Sequence, residues 1–141
     1  MSYDEQSIYE IAGGDATFRE LVDRFYARVE ADEHLRPLFP DDLKPGKHWQ
    51  FLFLVQFFGG PHRYNTQRGH PRLRVRHAPF SIDQVARDQW LAHMLASIDE
   101  VGIVEPARSV MRDYFERASQ FMINTVHLPV DESPSQTDLG T

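Results

Sequence analysis

Between Trp49 and Phe58 the chain carries eight apolar residues, and only Gln50 and Gln56 interrupt them. A helix over residues 46–58 is therefore apolar on nearly every side, and such a helix must be buried on every side. Gly59-Gly60-Pro61 ends it cleanly. The whole chain is 141 residues, which is one domain. In so small a protein it is hard to cover every face of that helix with other helices. One face wants an apolar surface that is not protein. Ten Phe, five Tyr and two Trp exceed what a core of this size needs and point the same way.

Three further helical patterns surround it. Over residues 15–31, Phe18, Leu21, Val22, Phe25, Tyr26 and Val29 repeat at the spacing of one buried helical face, with Asp15 or Thr17 available as a cap. A third helix is expected from a capping box beginning at Ser81, running through Val85, Trp90, Leu91, Met94, Leu95 and Ile98 to Gly102. A fourth starts near Pro106 with a stripe of Val110, Met111, Tyr114, Phe115, Ala118, Phe121, Met122 and Thr125. No segment alternates as a strand does, so the expected fold is all-α. Residues 1–14 are read as an N-terminal extension with a short helix, 15–127 as the folded domain and 128–141 as a disordered tail. Residues 61–80 fit no regular element, and a connection of that length inside a compact domain is functional or disordered. Pro71 and Pro79, with Tyr64, Leu73, Val75 and Phe80 as apolar anchors, argue against disorder.

Charge singles out the same region. The net charge is −6, yet residues 43–82 contain no Asp or Glu and seven Lys or Arg, so +7 sits there and −13 elsewhere. Such a stretch wants an anion: phosphate, a carboxylated cofactor or nucleic acid, unless it is simply a solvated loop. There is no cysteine, which removes disulfides and thiolate sites. No apolar run is long enough to cross a bilayer, and residues 1–5 lack the pattern of a signal peptide, so the expectation is a cytoplasmic protein without a membrane partner. None of the seven histidines forms a zinc motif. His77 differs in context: it lies among Arg74, Arg76 and Pro79 on a constrained turn. One imidazole, an anion-seeking surround and surplus aromatic surface together suit haem, whose ring is apolar, whose propionates are anionic and whose iron takes an axial imidazole.

The runs Gly59-Gly60-Pro61, Gln67-Arg68-Gly69-His70-Pro71-Arg72-Leu73-Arg74 and Arg76-His77-Ala78-Pro79-Phe80 resemble the second group of truncated haemoglobins. Arg24-Phe25-Tyr26, Phe39-Pro40 and Asp88-Gln89-Trp90-Leu91 match the family in order and spacing, and the resemblance spans roughly residues 7–126. It implies a two-over-two helical sandwich around haem b, with His77 as the iron ligand. It also implies Tyr26, Gln50 and Trp90 as polar groups stabilising a distal ligand. Phe39, Phe53, Tyr64, His70, Leu73, Arg76 and Phe80 are the implied contacts to the cofactor, Tyr64, His70 and Arg76 being candidates for its propionates. Phe39 stands where some relatives carry a second distal tyrosine, and Gly46 occupies the usual gate position.

The function so implied is binding of O2, NO and CO at one pentacoordinate haem iron. Redox chemistry on the ligand, NO detoxification or peroxidase-like turnover, is the first expectation; it needs an unidentified electron donor. Non-enzymatic storage, transport or sensing of oxygen is the alternative. The overall acidity disfavours nucleic acid as a partner, and a homodimer is left open.

Overall fold

The computed structural model describes residues 6–124, and among them every regular element is helical. The proposed tail at 128–141 lies outside the described residues. In chain order the α-helices are α1 (Ile8–Ala12), α2 (Gly14–Ala31), α3 (Lys44–Phe57), α4 (Arg63–Arg68), α5 (Leu73–His77), α6 (Gln84–Val101) and α7 (Ala107–Phe121), with one 3-10 turn at Arg36–Leu38.

The stripe expected on α2 is its buried face: Phe18, Leu21, Val22, Phe25, Tyr26 and Val29 all point into the core. That face packs on both α3 and α6, and α6 packs on α7, so two helix pairs sandwich one core. Neither Asp15 nor Thr17 caps α2. Gly13 holds the cap position without a side-chain bond, and the Asp15 carboxylate instead accepts from the Tyr9 hydroxyl at 2.7 Å and from Arg63 at 2.8 and 2.9 Å. Those bonds tie α1, α2 and α4 together.

On α3, Phe51, Leu52, Leu54 and Val55 are buried. Trp49, Gln50 and Phe53 are half-buried and Phe57 is 51% exposed, so its apolar circumference is only partly covered by helices. Residues 61–80, expected to hold no regular element, form α4 and α5 joined by a short turn. Both helices are too short for periodicity to reveal them. The N-cap of α6 is Asp83, which accepts from Ala86 N at 2.9 Å, rather than Ser81. Gly102 closes α6 in the left-handed region at φ +80°, a conformation that glycine adopts without steric cost. The buried line of α7 is narrower than its sequence stripe: Ala107, Met111, Phe115 and Ser119 face inward, whereas Val110 is 43% and Phe121 68% exposed. Thr125 lies outside the described residues.

Candidate functional site

Two groups of residues carry the chemistry, one on α2, α3 and α6 and the other on α4 and α5. In the first, the Tyr26 ring meets Phe25 edge-on at 5.4 Å and Phe39 at 6.0 Å, and Phe25 in turn meets Trp90 at 5.0 Å. Burial pushes the Tyr26 hydroxyl up to about 12, so it keeps its proton at any physiological pH. No hydrogen bond engages that hydroxyl among the described residues, which makes it a donor available to something else. It sits directly beneath Gly46: a Cβ built there would lie 2.8 Å from the Tyr26 oxygen, closer than real Cβ contacts come. The missing side chain at 46 is therefore what gives the hydroxyl its room.

Gln50 is the residue that breaks the apolar run of α3. Its Oε1 is buried without a hydrogen-bond partner, as is that of Gln89, the neighbour of Trp90. Such an atom costs about 1–3 kcal/mol unless something satisfies it. Gln89 was not singled out from sequence, since a Gln on a helix looks like surface until the packing around it is known.

In the second group His77 ends α5, half-buried. Its Nδ1 lies 2.7 Å from the Leu73 carbonyl oxygen. A carbonyl only accepts, so Nδ1 carries the proton and the lone pair is left on Nε2, the arrangement that a metal-binding imidazole needs. Leu73 thus bears on His77 through its backbone. The turn after α5 is held from a distance: the Asn124 side-chain amide donates to Phe80 O at 2.8 Å and to His77 O at 3.3 Å, and its oxygen accepts from Ile82 N at 2.8 Å. Asn124 was also missed, because nothing local to residue 124 signals a contact so far back in the chain.

Tyr64 on α4 is buried, with ring contacts to Trp49 at 5.8 Å and Phe53 at 5.9 Å. Arg76 gives its Nε to the Pro71 carbonyl at 2.9 Å, and its two Nη groups have no partner among the described residues. His70 is exposed, and its Nδ1 accepts from Arg72 N at 3.2 Å. Phe80 is 39% exposed. The Tyr64 ring contacts join α4 to α3, whereas no hydrogen bond, ion pair or ring contact directly joins Tyr26, Gln50 or Trp90 to His70, Arg76 or His77 among the described residues.

Among those residues no cluster of three or more His, Cys, Asp or Glu could hold a metal ion. A lone imidazole with its lone pair on Nε2 instead suits a metal whose other donors come from a macrocycle. The chain matches the model of the Bacterial-like globin family over residues 7–124. It is 39% identical over 111 residues to the group 2 truncated haemoglobin YjbI of Bacillus subtilis, covering 79% of this chain and 84% of that one. The chain belongs to the group 2 truncated haemoglobins. This truncated haemoglobin is also similar to two solved structures. With the haemoglobin of Chloroflexus aurantiacus it shares 63% identity at a TM-score of 0.84, over 85% of this chain and 99% of that one. With the group II truncated haemoglobin of Bacillus anthracis it shares 35% identity at a TM-score of 0.85, over 90% and 98%. The expected two-over-two sandwich is therefore its fold, its cofactor is haem b, and it binds diatomic gases such as O2. The orphaned Gln50 oxygen, the unengaged Tyr26 hydroxyl and the tautomer of His77 all fit that cofactor. No helix among the described residues is long and apolar enough to cross a membrane.

Proposed function

We propose that this truncated haemoglobin retains O2 for redox work, NO detoxification or peroxidase-like turnover, rather than releasing it readily. Haem would supply an iron that binds a diatomic ligand and exchanges electrons with it. His77 would hold that iron through Nε2, with no second side chain of this chain ligating it at rest. Tyr64, His70 and Arg76 would hold the propionates, while Phe39, Phe53, Leu73 and Phe80 would pack on the ring. Tyr26 Oη and Trp90 Nε1 would donate hydrogen bonds to the bound ligand, and Gln50 would add a third polar group. NO and CO enter the same space.

The observation that carries this reading is the protonated Tyr26 hydroxyl, desolvated and without a partner among the described residues. Each hydrogen bond to a ligand that gains negative charge is worth roughly 1.5–3 kcal/mol. Two of them slow escape by on the order of a hundredfold or more when they act on the off-rate. One solved relative, 38% identical and from Bacillus subtilis, is described as oxygen-avid, which supports slow release. Stopped-flow O2 release from Tyr26→Phe and Trp90→Phe tests the reading. Each variant should release O2 at least about tenfold faster, and unchanged rates in both would remove these residues from the role. NO consumption in the presence of a reductant separates redox turnover from storage.

A further inference from the structure

We propose that the exposed surface of α4 and α5 docks an acidic one-electron carrier protein, the partner that the redox reading requires and on which this inference rests. Ion pairing divides the cations of the chain sharply. Of the eight Arg outside residues 43–82, six pair with carboxylates: Arg24, Arg28, Arg87, Arg108, Arg112 and Arg117. Of the seven cations inside that stretch only Lys47 and Arg63 do so. Lys44, Arg68, Arg72, Arg74 and Arg76 have no carboxylate partner among the described residues. Five of the seven cations without a carboxylate ion pair among the described residues thus lie on the segment that also carries Tyr64, His70, Arg76 and His77. The other two are Arg19 and Arg36.

Two of these cations are held rather than free to wave. The Arg68 guanidinium lies 4.7 Å from the centre of the Trp49 ring, and that of Arg74 lies 5.7 Å from Phe121. Holding them in place lowers the ordering cost of an interface. Beside Arg74, Val75 is 65% exposed and Phe121 68%. An apolar spot among arginines has the composition of a protein-binding patch. A patch of this size suits the bounded acidic face of a folded protein. A long polyanion would run past it onto the rest of the described chain, which carries a net −8. Transfer moves one electron from the carrier's reduced centre to the ferric haem protein; the carrier is left oxidised, and no bond or proton is involved.

The test titrates the haem-loaded protein with a reduced [2Fe–2S] ferredoxin, an acidic one-electron carrier, at low and at physiological salt. Affinity should fall about tenfold or more with salt, and Arg68→Glu combined with Arg74→Glu should lower it about tenfold or more at low salt. Before ferredoxin is added the Soret band of each variant should match that of wild type, and the affinity of the paired Gln variants should fall between wild type and charge reversal. Binding indifferent to salt or to charge reversal overturns the proposal, as does tighter binding to a DNA duplex or to phosphatidylserine vesicles than to the ferredoxin. NO consumption driven by a small neutral reductant keeps the two ideas apart. Turnover without ferredoxin binding sinks the docking face alone, and binding without turnover sinks the redox reading.

Discussion

Tyr26 illustrates how a residue is kept for a ligand. The Tyr26 side chain is 7% exposed, yet its hydroxyl is not one of the buried polar atoms left without a partner, so it carries no large desolvation penalty of its own. Tyr26→Phe should therefore leave the haem-free protein about as stable as wild type by denaturant titration, while the loaded protein loses O2 faster. Gly46 belongs to the same device. Because a Cβ there would meet the Tyr26 oxygen at 2.8 Å, Gly46→Val should push the ring aside and move O2 release toward the Tyr26→Phe value; release unchanged from wild type would show that the hydroxyl has slack. For His77, replacement by Ala should abolish or markedly alter the Soret band on haem addition, and free imidazole should restore part of it.

Among the elements, α5 is the one held least by its own length. It is five residues long, far below what a helix needs to persist alone, and the Asn124 amide supplies the bonds its own turn lacks. Asn124→Ala should cost about 1–3 kcal/mol of stability and speed haem loss, measured by transfer to an excess of an acceptor apoglobin. The contact between α2 and α6 carries a pH dependence. His93 Nε2 lies 2.7 Å from Asp32 at the end of α2. That bond, with the backbone N–H groups of Leu35 and His34, holds the Asp32 carboxyl below its ordinary value. A depressed carboxyl gives stability that is present above its unfolded pKa of about 3.9 and is lost as the pH falls through the lower folded value. Thermal unfolding should show the wild type losing more stability than Asp32→Asn on acidification below about pH 4.

Over the whole molecule, what the sequence made legible follows from the range of each signal. The face of α2 and the all-round apolarity of α3 are periodic over many residues, so they survive without tertiary knowledge. The helices α4 and α5 are too short and too rich in Arg for any period to show. The cap of α6 fell on Asp83 rather than Ser81 because both residues suit a cap and only the backbone chooses. Gln89 and Asn124 matter through contacts with distant segments, and no local pattern announces those. The family motifs, by contrast, located the turn around His77 without its geometry being known. Cofactor binding should raise the midpoint of thermal unfolding with haem concentration, as mass action demands for a ligand of the folded state; a midpoint independent of haem would place the cofactor outside the folded domain.

The tie from Asn124 to the backbone of His77 and Phe80 also sets an order of events during synthesis. Its bonds reach back 47 and 44 residues, so the ribosome must release almost the entire domain before they can form. The segment that holds the imidazole leaves the exit tunnel early and is finished late. A chain stopped anywhere within α7 contains His77 in full and still lacks the bracket that fixes its turn.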